Sequence, residues 1–74
     1  MIYIEICYDH QSFDSARTAI VSIPEKEGII HIVEYFNHAK RRLLNYLAKE
    51  YHIDEDTVFV HDWKYYGNAF DIIL

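Results

Sequence analysis

Five histidines, one cysteine and several adjacent acids are the residues of this 74-residue chain that could do chemistry. Glu34 and His38 stand four positions apart, which on a helix sets them on one face, and His31 falls on the same polar side. Such spacing suits a metal pair, whose ligands must converge on one ion. The pattern is incomplete, because there is no HExxH sequence and no cysteine nearby, so the three read as solvated helix residues. His61 and Asp62 are adjacent, but neighbours on a strand point to opposite faces and cannot serve as a base and its orienting acid. His61 is expected to be a partly buried structural residue on the core side. Cys7 follows Ile6 in an alternating segment. A nucleophilic thiolate needs a positioned base and an oxyanion site, and no local signature supplies either. A single cysteine also excludes an intramolecular disulfide and a four-Cys zinc site. Two glycines cannot build a phosphate-cradling loop, and GxSxG is absent. The chain is therefore expected to be no enzyme and to carry neither metal nor cofactor.

The elements that would position these residues follow from periodicity. Residues 2–8 alternate Ile2, Ile4, Ile6 against Tyr3, Glu5, Cys7, a period of two that predicts a strand with one aliphatic face. Residues 9–15 are polar and read as a loop. Residues 18–23 alternate again, with Ala19, Val21 and Ile23 on one face. The period then changes. On a helical wheel, residues 29–52 gather Ile29, Ile32, Val33, Phe36, Ala39, Leu43, Leu47 and Tyr51 in one sector, which predicts an amphipathic helix against a core. Ser22, Pro24 and Glu25 resemble a capped helix start, whereas Gly28 and the β-branched Ile29-Ile30 place the start as late as Gly28. A rival reading makes residues 24–28 a turn and residues 29–36 a third strand. Residues 57–65 read as a strand, and Gly67-Asn68 as a two-residue hairpin turn. That turn sets Lys64 opposite Asp71 and gathers Phe59, Trp63, Tyr65, Phe70, Ile72 and Leu74 on one face. The expected fold is α+β, in the order β-β-α-β-β: a four-stranded, mainly antiparallel sheet with one long amphipathic helix on one face, all in a single domain over residues 1–74.

The second sheet face is then predicted to carry Tyr3, Glu5, Cys7, Thr18, Ile20, Ser22, Val58, Val60, Asp62, Lys64, Tyr66, Asp71 and Ile73. A plain solvent face would be mostly polar. Aliphatics and tyrosines bordered by acids read instead as an interaction surface. Charge is split along the chain. Residues 38–49 hold Lys40, Arg41, Arg42 and Lys49 with no acid, a local +4, while the other residues set twelve acids against Arg17, Lys26 and Lys64, a local −9, which sums to the net −5. That split fits either a solvated helix whose bases lie away from its first turn or a bipolar molecule that offers acids to a basic partner. Ordinary duplex binding is disfavoured, since phosphates call for cationic side chains.

At this length only about 60% of the unfolded surface is buried on folding. A chain that is 51% hydrophobic and so short is too apolar for a disordered tail and gains from a second copy, so a homodimer is expected. Apolar runs fall far short of the roughly 18 residues a membrane span requires. No basic leader follows Met1, and with a lone cysteine the expected location is a reducing cytoplasm.

Size, aromatic content, the missing catalytic motif and acid runs such as Asp54-Glu55-Asp56 resemble the small acidic proteins that phages make to disable host DNA-handling machinery. The scale is similar to that of phage inhibitors of the bacterial replicative sliding clamp. The resemblance implies a non-catalytic inhibitor that binds a basic DNA-contacting surface of a host replication or processing protein and keeps DNA out, working in the bacterial host cytoplasm. Candidate contacts are Glu5, Asp62, Asp71 and Tyr66 on the sheet face, with Asp54, Glu55 and Asp56 on a rim. Two alternatives stand beside it. One is an accessory or antitoxin-like module that binds one protein. The other is a nucleic-acid-binding module that uses Lys40, Arg41 and Arg42, with tyrosines and Trp63 as stacking platforms.

Overall fold

The computed structural model describes residues 1–25 and 31–68. The alternating aliphatic segment forms β1, Ile2–Asp9, and the next β-branched run forms β2, Arg17–Ile23. The helix α1 spans Ile32–Tyr51, a 3-10 turn covers Glu55–Thr57, and β3 runs Phe59–Gly67. The sheet has the order β2-β1-β3, with β1 central and antiparallel to both neighbours. The fold is therefore α+β, a three-stranded antiparallel sheet under one long helix, in the order β-β-α-β. The expected fourth strand, with Phe70, Asp71, Ile72, Ile73 and Leu74, lies outside the described residues.

The period of two in β1 does what it predicts. Ile2, Ile4, Ile6 and Tyr8 are buried, Ile4 and Ile6 fully so, and the intervening residues are half-buried. Above them α1 lays down Tyr35, Ala39, Leu43 and Leu47, one residue every four positions. This stripe corrects the predicted helical sector at both ends. Ile32, Val33 and Tyr51 are each about half exposed, and Tyr35 takes the inward place. The reason is aromatic packing against β3. The Phe36 ring stacks on Trp63 at 4.5 Å between centroids, and Tyr35 meets Tyr65 at 6.2 Å.

Two further expectations about the helix are corrected. Ser22 pairs with Tyr3 inside β2 and caps no helix, while Pro24 follows the last residue of that strand. Proline has no amide hydrogen to continue a ladder. Residues 32–36 are helical, which removes the rival third strand. The N-cap is His31, without a side-chain cap bond. At the other end His52 adopts the left-handed conformation (φ 56°), and the amides of His52 and Ile53 both donate to the Leu47 carbonyl. That reversal tucks Ile53 into the core.

The β1–β3 ladder breaks step twice. Cys7 faces Asp62, but Tyr8 faces Val60, so His61 has no opposite residue. Tyr3 faces Gly67 and Ile4 faces Tyr65, which leaves Tyr66 as a second extra residue. The extra residue of a bulge inverts the facing of everything beyond it. Trp63 and Tyr65 point to the helix as predicted, but Val58 and Val60 also pack against the core, while Phe59 is 63% exposed. The straight strand expected from the sequence put Phe59 and His61 inward and the two valines outward, and the bulge at His61 reverses both pairs.

Candidate partner-binding site

With α1 on one face, the other face of the sheet has no covering layer among the described residues. Its rows follow from the register: Ser22–Tyr3–Gly67, then Ile20–Glu5–Lys64, then Thr18–Cys7–Asp62, with Asp9 beside Phe59 at the end. Glu5 is the centre. It lies between Ile20 and Lys64, and its Oε2 accepts a long hydrogen bond from the Tyr66 hydroxyl at 3.4 Å. The Lys64 ammonium lies 5.0 Å from the centre of the Tyr66 ring, within cation–π range. Tyr66 stands two residues after Lys64, so the alternation of β3 puts both on the Glu5 side.

A shallow depression of about 90 Å³ sits in the middle, lined by Glu5, Cys7, Asp62, Trp63 and Lys64. Asp62 accepts the amide hydrogen of Trp63 at 2.8 Å. The Cys7 thiol is half-buried, with the Glu5 and Asp62 carboxylates and the Lys64 ammonium around the same depression. Its place suits packing and contact rather than attack. Glu5, Asp62 and Tyr66 thus share one face. Asp71, expected beside them, lies outside the described residues.

Asp54, Glu55 and Asp56 do not join that face. Asp54 caps the 3-10 turn by accepting from the Asp56 amide at 3.2 Å. Glu55 and Asp56 border a trough of about 710 Å³ with Asn37, His38, Lys40, Arg41, Leu44 and Val58. The acid run therefore stands in the helical layer next to the basic stretch of α1. The +4 and −9 halves of the sequence are partly interleaved in space, and the expected acidic rim around the open sheet is replaced by a mixed-charge trough. Arg42 leaves the basic cluster altogether, since its guanidinium donates to the Ser22 carbonyl.

Comparison with protein-family models, with curated proteins and with solved structures returns no match to this chain.

The residues themselves carry what can be said. Among the described residues no three His, Cys, Asp or Glu side chains converge as metal ligands, and no described helix is long and apolar enough to cross a membrane. His10 was not among the residues that periodicity or spacing singled out. Its Nδ1 lies 2.7 Å from the Ser12 hydroxyl and accepts the Ser12 amide at 3.1 Å, while its Nε2 lies 2.9 Å from Thr57 Oγ1. Thr57 spends its own hydroxyl proton on the Asp54 carbonyl at 2.6 Å. Nε2 must then be the donor, so the ring is the neutral Nε2–H tautomer. Asp9 completes the corner, accepting the His10 amide at 2.7 Å and standing 3.6 Å from His61 Nε2. Phe59 packs edge-on against His61 at 4.8 Å, and with Asp9 it extends the open face to this end of the sheet. A serine two residues after a histidine is the one local signal that was present.

Proposed function

We propose that this chain is a non-catalytic binding module that sets its open sheet face on a basic, DNA-contacting surface of a DNA replication or processing protein and so keeps DNA out, in the manner of the small acidic phage inhibitors it resembles. The observation that supports this is the placing of Glu5, Asp62 and Tyr66 together on a sheet face without a covering layer, with Asp9 and Phe59 at one end and Ile20, 47% exposed, at one side. Acids steer toward a basic surface, and exposed aromatic and aliphatic groups provide the anchors that hold it. Direct binding of nucleic acid through the helix has less support. Arg42 is engaged with Ser22, and Lys40 and Arg41 share their trough with Glu55 and Asp56, which would repel phosphate.

The test is competition. The immobilised protein should capture a DNA-binding protein from bacterial lysate and release it to duplex DNA or to raised salt. In a gel shift it should prevent that protein from binding its DNA. Glu5→Lys with Asp62→Lys should weaken capture by about tenfold or more at low salt and less at high salt. Glu55→Lys with Asp56→Lys should leave it unchanged. Capture that ignores DNA, salt and the first pair of substitutions would sink this reading and favour an accessory module working through another surface.

A further inference from the structure

Among the described residues β2 is a sheet edge with little of the usual protection. Among the described residues its one strand neighbour is β1. Its register with β1 runs unbroken from Tyr8↔Arg17 to Ile2↔Ile23, without a bulge. Thr18, Ala19, Ile20, Val21, Ser22 and Ile23 include no charge and no proline. Free edges are normally blunted by lysine, proline, a bulge or a covering segment. One side chain does reach this edge: the Arg42 guanidinium bonds the Ser22 carbonyl. That places the Ser22 carbonyl on the outer side of the strand. Backbone groups alternate in direction along an antiparallel strand, so those of Thr18, Ile20 and Ser22 all face outward.

We propose that β2 pairs with β2 of a second copy, antiparallel, about a two-fold axis through Ile20, and joins the two sheets into one. With Ile20 opposite Ile20, Thr18 meets Ser22 on either side, and every outward-facing group of the strand gains a partner. A shift of two residues one way brings Pro24, which lacks a donor, into the ladder, and a shift the other way brings in Ala16 from the loop. The Ser22 carbonyl keeps Arg42 on its second lone pair.

Charge complementarity argues for a second copy over a foreign strand. The helix α1 runs along β2 from Arg42 at Ser22 toward Tyr46, which shares a groove with Ala19, Val21 and Tyr8. Arg42, Tyr46 and Glu50 stand four apart and form one stripe. The two-fold axis reverses the second stripe, so Arg42 of each copy comes opposite Glu50 of the other, with the exposed Tyr46 rings between them. The same operation sets Arg17 opposite Ile23, with Glu25 two residues further along the chain. A two-fold contact needs a patch that is complementary to itself, and positive, aromatic, negative in sequence along the edge is such a patch. The pairing does not depend on the function proposed above. It leaves the open faces free and side by side.

Sedimentation of the full chain over a concentration series should give twice the 8.9 kDa of one copy. Ile20→Lys and Ile20→Glu should each weaken the dimer by about a hundredfold, since like charges then meet at the axis, and an equimolar mixture of the two should restore it. Because Ile20 faces its own copy, Ile20→Cys in a Cys7→Ser background should be joined by a short bis-maleimide, which tests the register even if a charged variant fails to fold. A wild-type chain that stays monomeric throughout the series, a dimer that Ile20→Lys leaves intact, or an Ile20→Cys chain that does not cross-link would overturn the proposal. A monomer that takes up an extended peptide along β2 would assign the edge to another protein.

Discussion

Nε2 of His10 lies 2.9 Å from Oγ1 of Thr57, and this bond ties the β1–β2 loop to the 3-10 turn that leads into β3. Each partner is itself held, His10 by Ser12 and Thr57 by the Asp54 carbonyl. His10→Ala should cost about 1–2 kcal/mol, the loss of a hydrogen bond with its partner left unpaired, read from the urea midpoint. Long-range ¹⁵N correlation spectra should show the Nε2–H tautomer. A Nδ1–H ring, or a midpoint unmoved by the substitution, would remove the tie.

The bulge at His61 makes two neighbouring residues respond in opposite senses. Val60 packs against the core, so Val60→Asp should cost roughly 2 kcal/mol or more by burying an unpaired carboxylate. Phe59 is outside, so Phe59→Ser should change stability by no more than about 0.5 kcal/mol. A straight strand requires the reverse order, and denaturant titration of the two variants decides between them.

This bulge also marks where the sequence was legible and where it was not. In β1 every second residue is apolar and every one of them is buried, because one unbroken period matches one unbroken strand. The core-facing positions of the later segment are 58, 60, 63 and 65, which keep step within each pair and slip between Val60 and Trp63. The slip is the mark of an extra residue. It was obscured because Phe59 and His61 complete an odd-numbered series with Trp63 and Tyr65. The helix was legible as a body and not at its ends, since Tyr35 is drawn inward by Tyr65, sixty-one residues after Ile4 on the facing strand. Of the candidate site, Glu5, Asp62 and Tyr66 share a face as read. For Asp62 and Tyr66 the two bulges and the alternation between them agree with that assignment. Asp54, Glu55 and Asp56 could not be placed, because a loop has no period from which to infer a side.

Among the described residues two backbone positions have left-handed geometry, and they should respond oppositely to the same kind of exchange. His52 has φ 56° and carries a side chain, so His52→Gly should stabilise by about 0.5–1 kcal/mol. Gly67 has φ 59°, and a methyl group there would meet the Tyr65 ring at 3.4 Å, so Gly67→Ala should destabilise by about 1–2 kcal/mol. Thermal unfolding of both variants checks the pair. A gain for Gly67→Ala would contradict the conformation at the end of β3.

Stability should fall on the alkaline side. Burial pushes the Tyr8 hydroxyl above its ordinary 10.0, against the pull of Arg17, and Tyr51 adds to the rise. Its neutral form is thus favoured more in the fold than in the unfolded chain. The resulting stabilisation is complete below pH 10 and is lost as pH climbs through the folded value. The exposed Tyr46, raised by its hydrogen bond to Tyr51, acts in the same direction. The urea midpoint should hold to about pH 9 and drop above pH 10, and Tyr8→Phe should flatten that drop. A midpoint independent of alkaline pH would show that Tyr8 ionises in the fold as readily as in the open chain.

The central place of β1 sets an order of events during synthesis. Its first partner, β2, begins eight residues after β1 ends and can zip onto it as a local hairpin. Its second partner, β3, emerges only after the whole of α1 has been made. Until then the aliphatic row of Ile2, Ile4 and Ile6 has neither its helix nor its other neighbour. The closure of β3 onto β1, a pairing of the most distant described segments, is therefore the step expected to be slowest. A factor that shields a nascent hydrophobic hairpin would therefore act on this molecule before β3 has left the ribosome.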